Sequence, residues 1–235
     1  MTRVMVLLVA VVATATGCGQ VRRPPPGEMT IADRVEQYGP AARARLLPFF
    51  AAAGVPYPPA RFLLLGLKEE RELQLYAAGP AQNLAFVRSF IILGASGDLG
   101  PKLLEGDLQV PEGVYRIVYL NPNSVAHVAL ALSYPNDFDR LHAEEEGRES
   151  AILGGDIMIH GGAGSVGCLA IGDEAAEDLF VLATDAGWQQ AVIVISPVDF
   201  RRDALPPDYR PSPEWVNQLY AWLRTTLDTL PPAPP

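Results

Sequence analysis

The chain has 235 residues, 49% of them hydrophobic, which suffices for one globular domain with a sizeable core. Its formal net charge of −9 excludes bulk electrostatic binding of nucleic acid, which needs concentrated Lys and Arg. Its 22 prolines cluster in PPP, YPP, LPP and the closing PPAPP, marking linkers and turns, because proline cannot donate to a helix or sheet ladder.

The N-terminus reads as a targeting segment. Arg3 precedes VMVLLVAVVATAT, an apolar run too short and too rich in small residues at its end for a transmembrane helix. It closes on Ala15-Thr16-Gly17-Cys18, which resembles a bacterial lipobox with Ala15 where Leu is usual. The expectation is that residues 1–17 are removed and Cys18 carries lipid. That exports the chain and anchors it at the periplasmic face of a membrane. The alternative is an ordinary signal peptide with a chance Cys. Residues 18–29, polar and Pro-rich (GQVRRPPPGE), then form a tether.

Residues 30–58 read as helical. Thr30 caps IADRVEQYG, Pro40 opens a second helix AARARLLPFFAAAG that Pro48 kinks, and Gly54 stops it. From residue 59 to 200 the pattern is mostly strands: RFLLLGLK, RELQLYAAG with Leu73 and Leu75 alternating against Glu72 and Gln74, LAFVRSFIIL, GVYRIVYLNP, VAHVALALSYP and the short apolar run ending at His160. Pro-Asn signals close the middle strands, and GASGDLG is a Gly-rich turn. Asp173 caps EAAEDLFVLATDA, Gly187 stops it, and WQQAVIVISP is a buried strand. Residues 201–235 hold a last helix opened by Ser212-Pro213, with Trp215, Leu219, Trp222, Leu223 and Leu227 on one face, and a Pro-rich tail. The expected fold class is mainly β with flanking helices (α+β).

The chain has two cysteines, and if Cys18 is lipidated, Cys168 has no intramolecular partner. A lone thiol in an oxidising compartment is either buried and inert or chemically used. The segment IMIHGGAGSVGCLAIGD favours use. Only the thiolate attacks a carbonyl carbon well, and a nearby imidazole can take the proton and hold the thiolate in an ion pair. The glycines between His160 and Cys168 let the chain double back, and they expose N–H groups that could bind an oxyanion. A Cys alone is more often a small core hydrophobe, and a His alone at a strand end is more often structural. GGAGSVG lacks the Lys of a phosphate-binding loop. One His and one Cys are too few for a metal, and neither His127 nor His142 has metal-ligand spacing to this segment.

HGGAGSVGC resembles the signature of the L,D-transpeptidase (YkuD-like) family, with the short loop of its YafK-type branch. ASGDLGPKLLEGDLQVPEGVYRI and SYPNDFDR resemble that branch too, and the likeness runs from about Phe62 to Val198. It implies an L,D-transpeptidase-like sandwich or barrel that acts on peptidoglycan stem peptides without a cofactor or metal. In such enzymes a Cys attacks the stem carbonyl next to a D-centre, and the thioacyl group passes to an amine or to water. Carried over, Cys168 is the nucleophile, His160 its base and Gly161 the carbonyl that orients the His. Ser165 and Gly167 shape the loop, with the N–H groups of Gly167 and Cys168 as oxyanion donors. Lys102 and Tyr134 line the substrate groove. The Ile-Arg pair common after the family's Cys is here Leu169-Ala170, so recognition of stem carboxylates must differ. Two alternatives stand beside transpeptidation. One is an amidase of the same linkage, releasing a stem fragment or a peptidoglycan-linked lipoprotein. The other is a non-catalytic envelope-binding lipoprotein.

Overall fold

A computed structural model describes residues 27–234, so the leader, Cys18 and most of the tether lie outside the described residues. Thr30 caps helix α1 (Ile31–Ala52) in a capping box: its Oγ accepts the Asp33 N–H at 3.1 Å, and the Asp33 carboxylate accepts the Thr30 N–H at 2.7 Å. The break expected at Pro40 does not occur. One 22-residue helix runs through Pro40 and Pro48. An interior proline costs about 3 kcal/mol, but burying a Leu or Phe side chain returns about 1.5–3 kcal/mol. Leu46 and Phe50 are fully buried, beside Ala42. Arg43 also clamps Asp185 of helix α3 (Asp173–Ala186) with two 2.7 Å bonds, and Arg45 reaches Asp178 of the same helix at 2.7 Å. Tertiary packing overrides the local signal.

Nine strands follow: β1 (Arg61–Leu67), β2 (Glu72–Ala78), β3 (Ala85–Ile91), β4 (Gly94–Ala95), β5 (Gly113–Ser124), β6 (His127–Leu132), β7 (Met158–His160), β8 (Leu169–Ala170) and β9 (Val192–Ser196). They form one mixed sheet in the order β3-β2-β1-β9-β5-β6-β7-β8-β4. With its helices this is the expected α+β class. Core residues of α1 and α3 cover one face, and those of helix α4 (Val216–Leu227) cover the other. This explains the unbroken apolar run of β1, where Phe62 and Leu64 join the first cluster and Leu63, Leu65 and Leu67 the second.

The same double cover overturns the alternation expected of β2. Gln74 is buried because Tyr76 Oη and Arg201 donate to its Oε1 at 2.6 and 2.9 Å. Elsewhere β5 runs through the predicted Asn-Pro turn to Ser124, with its register shifting between Asn121 and Ser124. Helix α2 (Asp137–Glu145), capped by Asn136, arises where only a motif was seen. Gly172, not Asp173, is the cap of α3, and α4 starts at Val216 rather than at Ser212-Pro213. Trp222 faces solvent, off the expected apolar stripe.

The segment 96–112 borders the site and is pinned by a buried ion pair. Glu112 Oε1 lies 3.0 Å from Lys68 Nζ and accepts the Gly100 N–H at 2.7 Å, and Oε2 accepts Tyr220 Oη–H of α4 at 2.7 Å. Lys68 also donates to the carbonyls of Gly100 and Val110, at 2.9 and 3.1 Å. Burial pushes the Lys68 ammonium below its ordinary pKa, and Glu112 opposes that. Removing the carboxylate would orphan a buried cation and two donors. Glu112→Ala should therefore destabilise the fold by about 3–5 kcal/mol in urea unfolding, and a loss below about 1 kcal/mol would contradict the pinning role.

Candidate active site

Strand β7 ends at His160, with Ala129 of β6 on one side and Ala170 of β8 on the other. β7 and β8 are parallel, with Ile159 opposite Leu169 and His160 opposite Ala170, yet only the segment 161–168 joins them. Adjacent parallel strands usually need a crossover of about a dozen residues or more. Here the return is a glycine-rich turn that delivers Cys168 to the start of β8. Neighbouring strands lie about 4.8 Å apart, so Cys168, the residue just before β8, comes beside the strand that ends at His160, two register positions back.

His160 is buried, and its Nδ1 lies 2.6 Å from the Gly161 carbonyl oxygen. A carbonyl only accepts, so Nδ1 carries the proton and the Nε2 lone pair is free to act as a base. Gly161 must be glycine. A Cβ there would stand 2.5 Å from Asp173 Oδ1 and 2.8 Å from His127 Cβ. Asp173 Oδ1 accepts the Gly162 N–H at 2.7 Å, so the residue expected to cap α3 fastens the loop instead.

The far end of the loop is held by two serines. Ser165 Oγ donates to the Cys168 carbonyl at 2.7 Å and accepts the Ser96 N–H at 3.1 Å. Gly167, at φ +90°, donates its N–H to Ser96 Oγ at 2.6 Å. This corrects the assignment of the Gly167 N–H as an oxyanion donor, because that group is already spent. The Cys168 N–H has no acceptor among the described residues.

Cys168 is half-buried, and it is the free cysteine of the described residues. Its Sγ donates to the Asp156 carbonyl at 3.7 Å, and no hydrogen bond joins it to His160 among the described residues. Burial raises the thiol pKa. Backbone hydrogen bonding at Met158 opposes this, the Asp156 charge adds to it and the Lys102 charge subtracts. The shift favours the protonated thiol, and no preformed ion pair with His160 is seen among the described residues. Catalytic contacts of this kind often tighten only with substrate bound.

Lys102 and Tyr134 come together but do not form an open groove. Both are buried. Lys102 Nζ donates to the Leu104 carbonyl at 2.7 Å and to Asp107 Oδ1 at 2.6 Å, and Tyr134 Oη donates to the carbonyls of Lys102 and Leu153 at 3.2 and 3.3 Å. Their role is to brace the segment beside the thiol. Three contributors went unread in the sequence: Ser96, Asp156 and Asp173 as a loop anchor. Ser96 lies in GASGDLG, whose glycines signalled only a turn. Nothing in the spacing told that its serine reaches across to Gly167.

No family model matches the chain. Two curated proteins do, each named "Putative L,D-transpeptidase YafK", from Escherichia coli strain K12 and from O157:H7. Each is 36% identical over 121 residues, which are 51% of this chain and 46% of the relative. The chain is similar to these YafK proteins over about half of its length. It spans less than half the length of those relatives. Among solved structures, the helical cell shape determining protein Pgp2 from Campylobacter jejuni is 17% identical, with 72% of this chain and 69% of that one covered at a TM-score of 0.44. Mycobacterium tuberculosis L,D-transpeptidase 1 is 14% identical, with 58% and 62% covered at 0.33. Likenesses this distant say nothing about chemistry.

The raised thiol pKa has a kinetic consequence. A group more often protonated than a free cysteine reacts only as pH climbs past its raised value. Iodoacetamide modification of Cys168 should therefore inflect above the free-thiol value of about 8.5. An inflection near or below neutrality would show a preformed thiolate.

Proposed function

We propose that the chain is a peptidoglycan L,D-transpeptidase-like cysteine enzyme, with Cys168 as nucleophile and His160 as base. The single observation that carries this reading is the Gly161 carbonyl on His160 Nδ1, one strand away from an unpaired thiol. It fixes the only tautomer in which Nε2 can accept a proton. The name of the curated relatives gives the reaction, and the family resemblance of HGGAGSVGC supplies the substrate class.

In the proposed reaction, substrate entry turns Sγ away from the Asp156 carbonyl toward His160. Nε2 takes the thiol proton as sulfur attacks the stem-peptide carbonyl. The oxyanion is met by the Cys168 N–H. Collapse breaks the C–N bond, Nε2–H gives its proton to the leaving amine, and a thioester remains on Cys168. An incoming amine loses a proton to His160, forms the new amide and releases the thiol. Water in place of the amine would give hydrolysis. Leu169 and Ala170 are fully buried in β8, so no basic residue directly after the Cys can hold a stem carboxylate. That recognition falls to other parts of the groove.

Purified peptidoglycan treated with the protein, with and without an added amine such as a D-amino acid, should yield new muropeptides by mass spectrometry. Cys168→Ala should lower their formation by at least about a thousandfold, and His160→Ala by about a hundredfold or more. A Cys168→Ala chain that keeps its activity would remove the assignment. Shortened stems with no amine incorporated would point to the hydrolase.

A further inference from the structure

The proposed reaction uses Cys168, His160 and the Gly161 carbonyl, but it leaves the conformation of the thiol-bearing turn unexplained. That turn leans on Ser96. β4 pairs antiparallel with β8, Gly94 opposite Ala170 and Ala95 opposite Leu169. One more step of this register sets Ser96 opposite Cys168. Ser96 meets the turn through three contacts. Its Oγ accepts the Gly167 N–H at 2.6 Å, its N–H donates to Ser165 Oγ at 3.1 Å, and the two hydroxyl oxygens stand 3.1 Å apart.

The protons of this cluster can be assigned. Ser165 spends its own hydroxyl proton on the Cys168 carbonyl at 2.7 Å. Ser96 is therefore the donor between the two hydroxyls, and Ser165 Oγ accepts from both the N–H and the O–H of Ser96. Within this cluster both hydroxyls and the N–H groups of Ser96 and Gly167 have partners, whereas the Cys168 N–H that the proposed chemistry needs has none among the described residues. Without the Ser96 hydroxyl, the buried Gly167 N–H would lose its acceptor and become a free donor next to that of Cys168.

We propose that Ser96 is a positioning residue: it locks the Gly167–Cys168 turn in the one conformation from which Cys168 attacks, and it keeps the Gly167 N–H out of the reaction. This rests on the nucleophile reading of Cys168. Ser96 itself touches no reacting atom.

The test compares Ser96→Ala and Ser96→Thr in the full chain by two independent readouts. In turnover of peptidoglycan, Ser96→Ala should lower kcat about tenfold to a hundredfold, the cost of a slightly misplaced nucleophile, with KM little changed. In iodoacetamide modification of the folded protein, the same variant should react faster at pH 8. Its inflection should move down toward the ordinary thiol value of about 8.5, since a loosened turn exposes the sulfur. General destabilisation also moves the two rates apart, so the alkylation rate is compared with the unfolded fraction from a melting curve and should exceed what that fraction gives. Ser96→Thr keeps the hydroxyl and should match the parent in both.

The proposal is overturned if Ser96→Ala retains the parental kcat and alkylation profile, if its faster alkylation only tracks the unfolded fraction from a melting curve, or if Ser96→Thr fails alongside it. Should Ser96→Ala not fold, Ser165→Ala removes the other end of the same bridge. It must then show the lowered alkylation inflection, and a parental profile overturns the proposal. If the parent protein turns over no peptidoglycan, the nucleophile reading fails, while the alkylation comparison still decides whether Ser96 sets the turn.

Discussion

Everything at the site depends on one connection: two adjacent parallel strands, β7 and β8, joined by the segment 161–168 with no helix between them. A parallel return this short cannot be made by ordinary backbone. It needs residues that accept tight turns, and it needs anchors for the N–H and C=O groups the turn leaves unpaired. The chain supplies both. Gly161 fits under Asp173, and Gly167 takes a positive φ. Asp173, Ser96 and Ser165 absorb the freed polar groups. The same bend sets a histidine at the end of one strand and a cysteine just before its neighbour, so the geometry of the candidate chemistry follows from making the connection.

The surroundings hold that connection rigid. β8 is only two residues long, and its other neighbour β4 is equally short. Such strands could not pair by themselves. They are kept in place by full burial of Leu169 and Ala170 and by the loop anchors. The Lys68–Glu112 pair pins the segment after β4 to the core and to α4, so the polar groups flanking the thiol have fixed partners rather than solvent. A buried ion pair is weak evidence for net stability. Here it joins three parts of the chain, β1, the start of β5 and α4, at one point. Burial outweighs the charges near the thiol and raises its pKa. In the proposed reaction the histidine acts at the moment of attack, and no hydrogen bond ties it to the thiol beforehand among the described residues.

Much of this was legible in the sequence, for reasons that differ by element. The strands rich in Leu, Val and Ile and the capped start of α1 announce themselves through periodicity and capping chemistry, which are local. HGGAGSVGC is readable because all its parts lie within one loop. What stayed hidden depends on distant partners. Pro40 and Pro48 read as breakers, but packing of α1 on α3 outweighs them. Gln74 reads as a solvent-facing position until Tyr76 and Arg201 cover it. Lys102 reads as a free cation available to substrate, whereas Asp107 and the Leu104 carbonyl enclose it. Ser96 stands 71 positions before Gly167 and carries no local mark of the bond it makes. Contacts across such separations are set by the sheet order, which no window of sequence displays.

The central claim is that the sulfur of Cys168 becomes covalently acylated, and intact-protein mass spectrometry during incubation with purified tetrapeptide muropeptides tests it most directly. A mass increase equal to the acyl part of the stem peptide is predicted. It should map to Cys168, be removed by hydroxylamine as a thioester is, and be absent from Cys168→Ala. Turnover of the muropeptides with no adduct on Cys168, or an adduct that persists in Cys168→Ala, would contradict it.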